Sequence, residues 1–131
     1  MIVVDTDVVS YIFKRHPSAQ AFVELLEGHP LYISFMTVAE IEHGMATARW
    51  GERLRYRMRR YLSGYEVCES SPMLCRIWAA VMEESASKGR RMSHEDAWIA
   101  ATAVSLNLPL ATNNWKDFLH LEQIRLLAPA G

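Results

Sequence analysis

Apolar residues recur along this chain with two periods, and the switching between them predicts short strands interleaved with helices. Ile2-Val3-Val4 is a β-branched run ending at Asp5, after which Asp7 or Ser10 is placed to cap a helix through Val8, Tyr11 and Ile12. Pro17 suits the first turn of a second helix, whose residues Ala21, Phe22, Leu25 and Leu26 keep helical spacing until Gly28 stops it. Leu31-Tyr32-Ile33-Ser34 reads as the next strand. Thr37 and Glu40 then stand at capping-box spacing, and Val38, Ile41 and Met45 mark the buried face of the helix they open. Over residues 50–62, Trp50, Leu54, Met58, Tyr61 and Leu62 form one stripe. Residues 65–68 read as a short edge strand. Pro72 opens a long helix carrying Leu74, Ile77, Trp78, Val81 and Met82, which Lys88-Gly89 ends; Ser93 begins another that contains Asp96. Ala97, Ala100, Ala101 and Ala103 let that helix approach a sheet closely. Residues 108–112 and 124–127 complete the strand candidates.

Parallel neighbours need helical crossovers, so this alternation predicts an α/β fold whose mostly parallel sheet of about five strands is covered by helices on both faces. The 131 residues suffice for one domain, 1–131, with a single core and no need of disulfides or a structural metal. With 50% hydrophobic and 22% charged residues, disordered and fibrous classes are excluded. The opening Met-Ile-Val-Val-Asp lacks the basic start of a secretory signal. Residues 97–115 are long and uncharged, yet Thr102, Ser105, Asn107, Pro109, Asn113 and Asn114 argue against a membrane span. Cys68 and Cys75 form neither a disulfide framework nor a zinc pattern, which suits a reducing cytoplasm. The formal net charge of -1 conceals a cluster of Arg49, Arg53, Arg55, Arg57, Arg59 and Arg60. By base rate that is a solvated helix face, and RNA phosphate binding through Arg53, Arg57 and Arg60 is the functional reading beside it. Arg90 and Arg91, just before Asp96, are alternative phosphate clamps.

In open parallel sheets, sites form beyond the carboxyl ends of the strands. Asp5 stands there after the first strand, Glu40 is expected in the first turn of the helix after the second, and Thr112, Asn114 and Asp117 follow the fourth. The same reasoning sets Asp96 at the opposite edge, from which only a crossed or unusually long helix pair would return it. Each acid also has an ordinary use: Asp5 as a helix cap, Glu40 as a capping-box partner, Asp96 as a favourable helix N-terminal charge worth about 0.3–1 kcal/mol. Several carboxylates crowded together repel one another, and a hard divalent cation with oxygen ligands resolves that conflict.

The segments Asp5-Thr-Asp-Val-Val-Ser, Val-Ala-Glu40-Ile-Glu-His-Gly44, Asp96-Ala-Trp-Ile-Ala-Ala-Thr-Ala103 and Thr112-Asn-Asn-Trp-Lys-Asp117-Phe118 resemble, in order, the four motifs of PIN-domain ribonucleases. The chain looks in particular like a VapC-type toxin of a bacterial toxin-antitoxin pair. That resemblance implies a PIN-like three-layer α/β/α sandwich and a Mg²⁺-dependent endoribonuclease, with Mn²⁺ as a substitute. It implies that Asp5, Glu40 and Asp96 are the core metal-site acids, that Asp117 or Asn114 fills the fourth position, and that Thr112 is the hydroxyl contacting substrate or bound water. It further implies an RNA substrate, an antitoxin partner and a homodimer. Two other readings stand beside it. Asp5-Thr-Asp7 also looks like the nucleophile motif of haloacid-dehalogenase-type phosphatases, although the later Lys and paired acidic motif of that family have no convincing counterpart. The third is a PIN-like scaffold that binds RNA or a partner without cutting.

Overall fold

The structure is a computed structural model and describes residues 1–129. Its elements run β1 (Ile2–Val4), α1 (Thr6–Lys14), α2 (Ala19–Leu26), β2 (Leu31–Ser34), α3 (Phe35–Thr47), α4 (Glu52–Leu62), β3 (Glu66–Cys68), α5 (Pro72–Ser87), α6 (His94–Leu106), β4 (Leu110–Ala111), a 3₁₀ turn (Trp115–Asp117) and β5 (Leu126–Leu127). All strand pairings are parallel, in the order β3-β2-β1-β4-β5. The chain therefore builds outward from β1 in one direction and later returns to its other side. β1 and β4 flank the point where the strand order reverses.

Burial on both faces explains why β1 is an unbroken apolar run rather than an alternating one. Ile2 and Val4 join a core with Val8, Val9, Phe22, Ile33, Ile41, Met45 and Met58, under α1 to α4. Val3, pointing the other way, packs with Val81, Ala97, Ile99, Ala100, Ala103, Leu110 and Phe118 under α5 and α6. The alanines of α6 are fully buried, as their size suggested.

Several boundaries differ from the sequence expectation, each for a local reason. Asp5, not Asp7 or Ser10, caps α1, its Oδ1 accepting the Thr6 N–H at 2.7 Å. Ser34, not Thr37, caps α3 by accepting the Met36 N–H at 3.0 Å, so Glu40 lies in the second turn and makes no capping box. Trp50 falls before α4, whose N-cap is Gly51, because the chain turns there through Arg49 at φ 55°. The Trp50 carbonyl is instead held by Arg55 Nε at 2.7 Å. β4 and β5 span two residues each, shorter than the apolar runs that predicted them.

Asp96 is the largest correction. A helix that leads straight into a parallel strand runs antiparallel to it, so its N-terminus overhangs the carboxyl edge of the sheet. α6 ends at Asn107, in the left-handed conformation, just ahead of β4. Ser93, accepting the Asp96 N–H at 3.1 Å, therefore starts α6 on the same edge as Asp5. No long or crossed pair is required: α5 runs beside α6, with Trp78 stacked on Trp98 at 5.0 Å between ring centroids.

Candidate active site

The carboxyl edge at the strand-order reversal gathers the acids. Asp5 leaves the end of β1, and its backbone N–H donates to the Ala111 carbonyl at 2.9 Å, fixing it against β4. It is 5% exposed. Both carboxylate oxygens are held: Oδ1 by the Thr6 N–H, and Oδ2 by the Thr112 hydroxyl at 2.8 Å. Thr112 Oγ1 in turn accepts the Asn114 N–H at 3.0 Å, which bends the chain immediately after β4.

Thr6 is the hinge between Asp5 and Glu40. Its hydroxyl donates to Glu40 Oε1 at 2.8 Å and lies 2.9 Å from the buried Thr37 hydroxyl. Asp7 enters the same group, its Oδ1 accepting the Val8 N–H at 2.7 Å and its Oδ2 the Asn113 N–H at 3.2 Å. Asp96, Asp117, Arg90, Arg91, Ser93 and His120 line one cleft beside them.

The electrostatics show that these acids share one region. Burial, then the charge of Asp7, pushes Asp5 up to about 8, against the Thr112 hydrogen bond; Asp96 adds a further upward push. Asp96 rises to about 6 through burial, then the charges of Asp117, Glu40 and Asp7. Glu40 is raised by burial despite its Thr6 hydrogen bond, with Glu95 and Asp7 adding to the rise. Asp7 is raised by burial against its backbone donors. Among the described residues the ion pairs are Arg59–Glu42 and Lys88–Glu84, so none of these acids has a cationic partner. Also among the described residues, no three His, Cys, Asp or Glu side chains are already drawn around one ligand position.

The structure thus brings Asp5, Glu40, Asp96, Asp117 and Thr112 to one edge, with Asn114 contributing its backbone N–H. Arg90 and Arg91 are there as well, Arg90 reaching the Lys116 carbonyl at 3.2 Å. The arginines of α4 are elsewhere. Arg57 stacks over Phe13 at 5.9 Å, eight residues along α1 from Asp5 and so about 12 Å down that helix. Arg59 is committed to Glu42 by two bonds of 2.7 and 2.9 Å.

Four residues near this edge lie outside the site expected from the sequence: Asp7, Thr6, Thr37 and His120. Asp7 was assigned to capping, although its two-residue spacing from Asp5 was the available signal. Thr6 and Thr37 carried none, because a Thr–Thr–Glu relay across elements 31 and 34 residues apart leaves no local pattern. His120 sits 2.7 Å from Ser85 Oγ through Nε2, while its Nδ1 is buried without a partner. Burial, with Arg90 next, holds His120 below the usual imidazole range.

Comparison with known proteins follows the same lines. The PIN domain family profile matches residues 2–123. Ribonuclease VapC2 of Rickettsia felis is 27% identical over 124 residues, covering 93% of this chain and 92% of that protein. The VapC ribonuclease Y4jK of Sinorhizobium fredii is 31% identical, with 90% of each chain covered. Among solved structures, VapBC2 from Rickettsia felis, bound to a DNA fragment from its promoter, superposes with a TM-score of 0.85 at 26% identity, over 99% of this chain and 100% of that one. An unbroken match from the first strand to beyond the Asp117 turn, together with acids converging where the strand order reverses, means that this chain belongs to the PIN-domain family and is of the VapC type.

Proposed function

We propose that this protein is a divalent-metal-dependent endoribonuclease, the toxin of a toxin-antitoxin pair, with residues 1–131 working as one domain. The observation that carries the reading is a group of buried and half-buried carboxylates that raise one another's pKa and have no cation of their own. The donor set is all oxygen, which fits Mg²⁺ or Mn²⁺ and disfavours softer metals. An ion that keeps several waters needs only one or two direct carboxylates, so the acids need not be drawn to a single point beforehand.

Asp5 and Asp96 are the direct ligands in this reading, with Glu40 and Asp117 holding the surrounding waters and Asn114 at the rim. When bound, such an ion supplies charge that acidifies water and neutralises the phosphodiester oxygens during hydrolysis. The rest falls to the chain. Thr112 fixes the Oδ2 of Asp5 and Thr6 fixes Glu40, so neither carboxylate has to reorganise when substrate arrives. Arg90 and Arg91 hold the phosphates next to the cut, and Arg53, Arg57 and Arg60 contact RNA only farther along the strand. Relatives named as VapC ribonucleases, and a solved VapBC complex, support the toxin role and an antitoxin partner; a homodimer in the cytoplasm belongs to the same proposal.

The test is to sequence RNA ends after brief induction of wild type, Asp5→Ala and Asp96→Ala. Wild type should leave 5′-phosphate and 3′-hydroxyl ends, dependent on divalent metal, and both variants should leave none. Equal cutting by all three would overturn the assignment, while RNA binding without any cutting would favour the scaffold reading.

A further inference from the structure

The turn that carries Asp117 also presents an aromatic side chain for which the core has no use. In Trp115-Lys116-Asp117-Phe118 the last residue anchors the segment: Phe118 is 0% exposed and packs under α6. Trp115, three residues earlier, is 39% exposed. The turn between them is fixed by the backbone bonds Asp117 N–H to Asn114 O at 3.0 Å and Phe118 N–H to Trp115 O at 3.1 Å. An indole left this open forgoes a large favourable burial on a segment rigid enough to have buried it.

The surroundings of Trp115 point to an occupant. Lys116 Nζ lies over its ring, 5.5 Å from the centroid, a cation–π arrangement that sets positive charge against one face of the indole. The Lys116 carbonyl accepts from Arg90, whose guanidinium lines the cleft with Arg91, Asp96 and Asp117. In sequence, Trp115 sits between Thr112, which holds Asp5, and Asp117, whose charge is felt by Asp96. An exposed aromatic on this turn, with Lys116 against its ring and Arg90 bonded to the next residue's carbonyl, two residues before the cleft-lining Asp117, suits a base with its phosphate.

We propose that Trp115 is a stacking platform for one unpaired base of the RNA beside the cut, with Lys116 and Arg90 on the adjoining phosphates. Aromatic faces take any base, whereas a base within a duplex has both of its faces already covered. Trp115 is therefore a positioning residue that favours single-stranded segments over duplex without reading their sequence. This rests on the ribonuclease reading for its substrate, but the experiment below reads binding and not cleavage.

In an Asp96→Asn background, the full chain is titrated with a labelled oligouridylate and with a blunt RNA duplex of equal length, and gels check that both remain intact. Trp115→Ala should weaken single-strand binding about tenfold, within the range of one lost base stack, and leave duplex binding unchanged. Trp115→Phe should recover most of the loss. Lys116→Ala should flatten the salt dependence for both RNAs alike. Unchanged single-strand binding in Trp115→Ala, or an equal loss for single strand and duplex, would each overturn the proposal. Cutting of the oligonucleotide in the Asp96→Asn background would instead count against Asp96 in the ribonuclease reading and leave the stacking result to stand by itself.

Discussion

Two sets of carboxylates in this protein behave in opposite ways. Glu42 and Glu84 lie near the surface, each bonded to a cation, and each is lowered by that bond: Arg59 acts on Glu42, Lys88 on Glu84. Asp5, Asp7, Glu40 and Asp96 are more buried, are bonded to hydroxyls and backbone N–H groups, and are all raised. Arg90 and Arg91 line the same cleft, yet among the described residues neither pairs with these acids. Hydrogen bonds from Thr6, Thr112 and the backbone orient these acids but carry no charge to offset them. The surface acids are neutralised within the chain, whereas the buried ones are not, which is the contrast that the proposed metal reading requires.

Asp5→Asn should break this contrast most severely. At about pH 9, above the raised Asp5 value, removing the buried charge lowers repulsion on Asp96 and should stabilise the metal-free protein by roughly 1 kcal/mol or more, about 3 °C or more in Tm for a domain of this size. The same change should reduce RNA cleavage by at least about 100-fold, the range seen when one preorganised electrostatic group at a reacting centre is lost. Thermal melts in chelator paired with cleavage rates check both signs. A variant that is less stable and still active would mean that Asp5 is an ordinary helix cap.

The pH dependence of stability sharpens the comparison next. Asp5 and Asp96 are raised above the ordinary aspartate value of 3.8, to about 8 and about 6, so in that window the folded chain keeps protons that the unfolded chain has released. Stability from these groups is fully present below their unfolded values and is lost as pH rises through the folded ones. In chelator, Tm should therefore fall between pH 5 and pH 8.5, a window in which the paired acids Glu42 and Glu84, lowered from 4.5, add no slope because their contribution is lost only as pH falls below that value. Mn²⁺ should restore Tm at pH 8 and do far less at pH 5, where protons compete for the same oxygens. A flat profile in chelator would remove the basis for the contrast.

Thr112→Val should have a smaller effect, because it removes an orienting hydroxyl and no charge. Asp5 Oδ2 would lose its donor and the Asn114 N–H its acceptor, a loss of about 1–3 kcal/mol for buried polar groups. Thr112→Ser should recover most of it. Urea unfolding of the two variants separates the hydroxyl from the methyl group.

Legibility in the sequence followed the range of the interactions involved. The order of elements, the parallel sheet and the long helix from Pro72 to the Gly89 turn were readable because β-branched runs, helical stripes and breakers are local signals. Cap positions were less so: Asp5 and Asp7, or Ser34 and Thr37, are chemically equivalent candidates until the backbone selects one. Strand ends alone put Asp5, Glu40, Thr112 and Asp117 at one edge, whereas Asp96 reaches it because a helix that enters a parallel strand starts at that strand's carboxyl edge, a relation of direction that residue type does not carry. Ser85–His120 and Thr6–Thr37 join positions 35 and 31 residues apart, and only the folded chain brings them together.

The smallest effect expected is that of Glu42→Gln. Its pair with Arg59 is exposed on both sides, so solvent and salt screen most of the attraction, and Tm should not move measurably. The change is nevertheless informative about α4, because it frees the Arg59 guanidinium, which stands on the flank of the helix next to the face of Arg53, Arg57 and Arg60, for a phosphate contact on the exposed side of α4. If that face lay against the RNA next to the cut, an added phosphate contact would steepen the salt dependence of single-strand binding by about 0.7 in the log–log slope. With Arg57 anchored over Phe13 at the far end of α1, a short oligonucleotide bound at the acids should not reach it, and the slope should stay as in wild type. A steeper slope would move the basic contribution from Arg90 and Arg91 to α4, and the two regions compared here would then act on one substrate together.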